Sequence, residues 1–358
     1  MTSITAVDAF CGAGGLSLGL SEVGFNILLG FDHDQKCIAT LKANPKFIHH
    51  SALESDVKDM LGGNLLKRIG LKKGQLDLLA GGPPCQGFSV QRTVGGDHDE
   101  RNLLVEDYGD LIEEVFPRFF LMENVPGIGG IRGRLIIERF SDRMSSLGYI
   151  CHRNILDAQD YGVPQRRKRF IMVGELASSS ETFFEWPKKV SYQLNTVRKT
   201  IGHLPAPPTD GSDHPEFFGH RADRLSQKNK DRLMALKEGQ ARDDLPDHLI
   251  ADCHKLSSDI IGHRNVYGRM SWDEAAPTIT ARFDSFTRGK FGHPDQIRSI
   301  SLLEGALLQT FPLSYKFSGT KVDIARQIGN AVPPMFAAVI GKSIFNAINK
   351  IRGKDSEL

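Results

Sequence analysis

Ile4-Thr-Ala-Val-Asp8-Ala-Phe10-Cys-Gly12-Ala-Gly14-Gly15-Leu16 runs an apolar, β-branched stretch straight into a glycine turn, and Leu16–Val23 behind the turn has helical spacing. A strand that passes through glycines into a helix opens backbone N–H groups at the carboxyl edge of a sheet, where a ligand can approach closely. The pattern continues outward. Asn26–Phe31 reads as a strand and Gln35–Ala43 as a helix; Leu76–Leu79, Phe119–Met122 and Phe170–Val173 are further buried strands, with helical Tyr108–Phe116 among them. Strands alternating with helices predict an α/β fold with right-handed crossovers and a largely parallel, Rossmann-like sheet. A dinucleotide fingerprint would need a third glycine at position 17, which is Ser17. That weakens the dinucleotide reading without removing it, and the loop equally suits a nucleoside cofactor without pyrophosphate, such as S-adenosylmethionine.

The chain has 358 residues, with 45 Lys plus Arg against 43 Asp plus Glu, a net charge of +2. That balance excludes a polycation but leaves room for a local basic surface. No uninterrupted apolar run approaches the length of a membrane span, and the N-terminus lacks a basic segment of the secretory kind. The 5 Cys contain no C-x-x-C pair, so a reducing, cytoplasmic setting is expected rather than a disulfide framework. His248, Cys253, His254 and His263 match no zinc template, and no metal is expected. Strand–helix alternation fades after about Gly174, near Ser178-Ser-Ser, Trp186-Pro and Pro205-Ala-Pro-Pro208. It resumes near residue 298. Pro333-Pro334 opens an amphipathic helix with Phe336, Val339, Ile340, Ile344 and Ile348 on one face and Gly353 as its expected stop. That face must pack on something, and the N-terminal sheet is the expected surface.

Three further stretches carry chemistry. Asp77-Leu-Leu-Ala-Gly81-Gly82-Pro83-Pro84-Cys85-Gln86-Gly87-Phe88-Ser89 ends a strand in two glycines and two prolines, and holds Cys85 at a stiff corner. A nucleophilic thiolate needs such exposure, whereas Cys37 and Cys151 lie in or beside apolar segments and read as small core hydrophobes. Phe120-Leu-Met-Glu123-Asn124-Val125-Pro126 sets a carboxyl group at the end of an apolar strand, where it can carry and share a proton. In Pro164-Gln165-Arg166-Arg167-Lys168-Arg169, strand alternation puts Gln165, Arg167 and Arg169 on one face and Arg166 and Lys168 on the other. One face is suited to line a site and the other to hold phosphates.

In this order, F-x-G-x-G-G (Phe10–Gly15), P-P-C-Q (Pro83–Gln86), E-N-V (Glu123–Val125), Q-x-R-x-R (Gln165–Arg169) and Q-x-G-N-A-V-P-P (Gln327–Pro334) resemble the DNA (cytosine-5)-methyltransferases of bacterial restriction-modification systems. The resemblance spans Asp8 to about Ile348. It implies an S-adenosylmethionine-dependent methyltransferase sheet with a second, smaller target-recognition domain. The expected division is a catalytic, cofactor-binding domain at 1–178, target recognition at 179–297, and late motifs at 298–358 that return to the catalytic domain. By resemblance, Phe10, Gly12, Gly14, Gly15, Asp32, His33, Asp56, Val57, Asn330 and Val332 bind the cofactor, with Asp32 on the ribose, His33 beside the adenine and Asp56 on its amino group. Cys85 is the nucleophile and Glu123 the acid at N3 of a flipped cytosine. Arg167 and Arg169 hold Glu123 and the base oxygen. Gln86, Ser89, Asn124 and Gln165 support the site, and a catalytic loop runs through Gly95-Gly96 to about Arg101.

The implied substrate is double-stranded DNA in the bacterial cytoplasm and nucleoid, met by a monomer without a membrane, with a cognate restriction endonuclease acting separately. His263, Arg264, Arg269, Arg282, Arg288 and Lys290, interspersed with Tyr267, Trp272, Phe283, Phe286 and Phe291, are the expected recognition residues. One departure is Leu303 in Arg298-Ser-Ile-Ser-Leu-Leu303-Glu304-Gly-Ala306, where the family usually has Arg. Three competitors share parts of the pattern: a tRNA cytosine-5 methyltransferase, a DNA-binding relative without catalysis, and a nicotinamide oxidoreductase. The last gives Cys85 and Glu123 no role, and the second gives their retention no reason.

Overall fold

The computed structural model describes residues 3–84, 103–130, 133–177, 181–190, 195–250 and 266–355. Seven strands form one sheet: β1 (Thr5–Ala9), β2 (Asn26–Asp32), β3 (Ser51–Glu54), β4 (Leu78–Gly81), β5 (Phe119–Asn124), β6 (Tyr149–Asp157) and β7 (Lys168–Leu176). Their order is β3-β2-β1-β4-β5-β7-β6. Neighbours from β3 to β5 are parallel, and β7 alone runs against both of its partners. The largely parallel Rossmann-like sheet expected from the sequence is therefore present. Two strands were not foreseen: β3 is short and only partly buried, and β6 is a sheet edge whose Arg153, Asn154 and Ile155 are exposed. Neither carries the apolar run that marks an inner strand.

Strand order reverses where β1 meets β4, and ligands of open α/β sheets bind beyond the carboxyl ends at such a point. Here β1 leads into the glycine loop and β4 into Gly82-Pro83-Pro84. Among the described residues there are ten α-helices: α1 (Gly15–Glu22), α2 (Gln35–Lys42), α3 (Asn64–Ile69), α4 (Leu103–Val115), α5 (Arg134–Ser146), α6 (Val197–Ile201), α7 (Gln227–Ala235), α8 (Leu302–Leu308), α9 (Lys321–Asn330) and α10 (Pro334–Asp355). The main core lies between sheet and helices, where Val7, Leu79, Phe120 and Met122 meet Val105, Tyr108, Ile112 and Phe140.

Helix α10 packs on α1 through glycines. A Cβ on Gly19 would lie 2.2 Å from the Pro334 carbonyl oxygen, and one on Gly341 would lie 2.7 Å from Leu20. By length and composition, Lys321–Lys354 passes for a membrane-crossing helix, yet 61% of its apolar window is buried within the protein. Its apolar face serves the core. Gly353 does not stop α10 as expected: the helix runs through it to Asp355. Arg352 anchors this last turn by donating to both oxygens of Asp77 at 2.9 and 2.8 Å.

The chain divides into two compact units. The first comprises 1–161, 168–189 and 332–358; the second comprises 162–167 and 190–331. These boundaries differ from the expected ones in three places, the first being Gly162–Arg167, which go with the second unit. Residues 181–189 stay with the first unit, where Phe183 N and Phe184 N donate to the Glu175 carboxylate at 2.8 and 3.1 Å. Residues 298–331 stay with the second, and the return begins only at Val332. In the second unit, Arg298 donates to Glu304 through two 2.7 Å bonds, with both side chains buried.

Candidate active site

The glycine loop is built by left-handed backbone at Phe10 (φ 56°), Gly12 (φ 51°) and Gly14 (φ 84°). Gly12 N donates to Asp32 Oδ2 and Asp34 N to Asp32 Oδ1, both at 2.9 Å, so one carboxylate ties the loop to the end of β2. Gly14 precedes α1 without a side chain to cap it. Asp8, wholly buried at the end of β1, supplies the cap instead: Ser17 N and Ser17 Oγ donate to its Oδ2 at 2.9 and 2.6 Å. Burial pushes the Asp8 carboxyl up to about 7, against the opposing pull of the Ser17 bonds.

Gly12 and Gly15 differ in purpose. A Cβ on Gly12 would meet nothing within 4 Å, leaving open space over the loop. A Cβ on Gly15 would sit 2.0 Å from the Val332 carbonyl oxygen, so position 15 is glycine because the returning chain crosses there. Beside the loop lies a cavity of about 120 Å³. Phe10, Phe31, Val57 and Leu104 give it apolar walls, and Asp32, His33 and Asp56 give it a polar rim. Pro84, the residue before Cys85, also lines it.

At the neighbouring strand ends, Asn124 Nδ2 donates to the Pro83 carbonyl oxygen at 2.9 Å and its Oδ1 accepts from Val125 N at 2.9 Å. This side chain pins the proline corner to the end of β5. Glu123 Oε1 lies 2.8 Å from Arg169 Nε, an ion pair between two mostly buried groups. A Cβ on Gly82 would stand 3.4 Å from Glu123 Oε2, so the carboxyl group faces the backbone three residues before Cys85. A carboxyl group, an arginine and a proline corner thus converge, and the last proline of that corner lines the cavity.

The profile of the C-5 cytosine-specific DNA methylases matches residues 4–346. The chain belongs to this family. Type II methylase M.HgiDII of Herpetosiphon aurantiacus is 37% identical over 344 residues, covering 94% of each protein. Type II methyltransferase M1.HphI of Haemophilus parahaemolyticus is 32% identical, over 96% of this chain and 87% of that protein. Among solved structures, an E. coli protein described as a DNA modification methyltransferase encoded within a prophage superposes with a TM-score of 0.74 at 26% identity, covering 97% of this chain and 100% of the other. The protein is a DNA (cytosine-5)-methyltransferase that takes its methyl group from S-adenosylmethionine.

The methyltransferase's cavity fits that cofactor. Its apolar walls suit an adenine ring, the Asp32 carboxylate retains lone pairs for hydroxyl donors, and the space over Gly12 admits a ligand against the backbone. Phe10, Asp32, His33, Asp56 and Val57 come together there. Val332 meets Gly15 through its backbone, while Asn330 ends α9 in the second unit and is exposed. Cys85, Gln86 and Ser89 lie outside the described residues, as do Cys253, His254, His263 and Arg264. Among the described residues no cluster of three metal-ligating side chains occurs.

Other expectations need correction. Strand β7 begins at Lys168, so Gln165 and Arg167 precede it instead of sharing its face, and the ion pair with Glu123 is made by Arg169. Arg167 is buried in the second unit, where its Nη1 donates to Ile279 O and its Nη2 to Gly329 O and Ala331 O, each at 2.9 Å. Gln165 Nε2 donates to Gln309 Oε1 at 2.8 Å and its Oε1 accepts from Ile279 N at 2.8 Å. Both are held by hydrogen bonds within the second unit. Arg166 pairs with Glu274. Several expected recognition residues are core: Tyr267, Phe283, Phe286 and Phe291 are buried, and Arg269 is buried among carbonyls. Tyr108, considered below, was missed; its signal was a phenol in an otherwise apolar helix face.

Proposed function

We propose that the protein methylates carbon 5 of a cytosine swung out of a specific duplex DNA sequence, through a transient bond between Cys85 Sγ and carbon 6. The observation that carries this reading is the Glu123–Arg169 pair, 2.8 Å apart, facing the Gly82-Pro83-Pro84 corner whose last proline lines the cofactor cavity. Addition of the Cys85 thiolate at carbon 6 makes carbon 5 enamine-like, which is nucleophilic catalysis. Negative charge that builds on the ring is offset by a proton shared between Glu123 and N3, and Arg169 keeps the carboxyl group oriented. Asn124 holds the proline corner that precedes Cys85 in the sequence. S-adenosylmethionine supplies the electrophilic methyl group that carbon 5 receives. A base, for which a water molecule suffices, takes the carbon 5 proton, and the electron pair left behind expels Cys85 as thiolate.

A base inside a duplex cannot reach this corner, so flipping it out, at a cost of a few kcal/mol, is part of the reaction. The segment after Cys85, through Gly95-Gly96, lies outside the described residues, and the second unit selects the DNA sequence. The protein acts as a monomer in the bacterial cytoplasm, on nucleoid DNA, as the protecting partner of a separate restriction endonuclease. Bisulfite sequencing of DNA from a host expressing the chain should reveal one methylated sequence. Duplex DNA carrying 5-fluorocytosine should form a covalent adduct with the protein and none with Cys85→Ser. Methyl transfer to bulk tRNA but not to duplex DNA would refute the substrate, and an adduct that persists in Cys85→Ser would refute the nucleophile.

A further inference from the structure

Tyr108 lies on α4 with no exposed surface. Its Oη sits 3.0 Å from the Leu79 carbonyl oxygen on β4 and 2.9 Å from that of Leu121 on β5. One hydroxyl proton serves both acceptors. Gly81 lies two residues beyond Leu79 and opens the proline corner; Glu123 lies two residues beyond Leu121. The ring also packs edge-on against Phe10, with centroids 6.1 Å apart, and Phe10 walls the cofactor cavity. A Cβ on Gly81 would lie 3.0 Å from Tyr108 Cε2, so the strand passes directly under the ring.

A phenol is an expensive choice for this place. The surrounding core is apolar, and a buried hydroxyl costs free energy unless it is hydrogen-bonded. A phenylalanine would fill the same volume without that cost. The hydroxyl adds a donor shared by adjacent strands, and so fixes their relative advance toward the site. Resting on the reading of Cys85 and Glu123 given above, we propose that Tyr108 is a positioning residue that ties the cofactor wall to the two strand ends carrying the nucleophile and its acid.

Tyr108→Phe removes the Oη alone, and Tyr108→Leu removes the contact with Phe10 as well. Both are made in the full chain and compared with wild type for thermal melting, S-adenosylmethionine dissociation constant and single-turnover methyl transfer to duplex DNA. Tyr108→Phe should melt like wild type and keep its cofactor affinity, while transfer slows roughly tenfold, the scale of one lost hydrogen bond. Tyr108→Leu should weaken cofactor binding in addition. An unchanged rate in Tyr108→Phe overturns the inference. So does a rate that falls only with the folded fraction, or a loss of the native melting transition. The 5-fluorocytosine adduct of the wild type, run alongside, tests the underlying reading separately: its absence breaks that reading whatever Tyr108 does.

Discussion

The two units satisfy their backbones by different means. In the first, carbonyls and amides pair along the ladders of a seven-stranded sheet, and the side chains between sheet and helices are free to be apolar. The second, over its described residues, has short helices and isolated bridges in place of a sheet. Its carbonyls are answered by buried guanidinium groups. Arg167 serves Ile279, Gly329 and Ala331. Arg269 serves Leu233, Leu236, His293 and Gln296. Arg232 donates to Leu249 O at 2.8 Å. A guanidinium carries five N–H donors in a rigid fork, which suits carbonyls that converge without a repeat. Arginine richness in such a unit is therefore not by itself a footprint of phosphate contacts.

The sharpest break in this comparison comes from two arginines two positions apart. Arg169→Gln should leave the melting curve native and slow methyl transfer by about 10²–10⁴, the usual range for acid–base assistance. Arg167→Met should act the other way, unfolding the second unit, because each orphaned carbonyl costs about 1–3 kcal/mol. Single-turnover rates and limited proteolysis separate the two. A folded but catalytically dead Arg167→Met protein would erase the distinction.

Acid should act on the units in opposite directions. The folded first unit holds the Asp8 proton more tightly than the unfolded chain does, since its carboxyl stands at about 7 rather than 3.8. The Asp8 contribution thus favours folding at low pH and fades as pH rises from about 3.8 to 7. His293 in the second unit is pushed down from 6.5 to about 4 by burial, and further by the Arg298 charge. Its contribution is complete above 6.5 and is lost as pH falls toward 4. Hydrogen exchange resolved by unit, at pH 7 and pH 5, should show Asp8→Asn flattening the first response and His293→Gln the second. Variants that leave both responses unchanged would remove these groups as their source.

Glycine substitutions give the smallest expected differences. Gly15→Ala drives a Cβ into the Val332 backbone, 2.0 Å away, and should cost about 1–3 kcal/mol as α10 shifts off α1. Gly268→Ala in the second unit meets Lys290 Cγ at 2.6 Å and the Gln240 carbonyl oxygen at 3.0 Å, a milder clash than that at Gly15, and should cost less than Gly15→Ala. Thermal melts of the two variants rank them; a reversed ranking would mean that the irregular unit is the more tightly packed.

Local sequence determined much of this protein. The β1–loop–α1 turn follows from an apolar run meeting glycines, the rigid corner before Cys85 from two prolines, and the placement of Glu123 from the apolar strand it ends. Such features need only a few consecutive residues, because strand period and turn chemistry are short-range. Tertiary structure alone decided which arginine of Gln165–Arg169 meets Glu123 and which is spent on carbonyls more than 100 positions away. It also decided that Gly15 is small for the sake of Val332, that residues 298–331 stay with the second unit, and that Tyr108 bridges two strands and a cofactor wall. Those outcomes depend on which distant backbones come within a few ångströms of one another, and no local pattern of polarity or period encodes that distance.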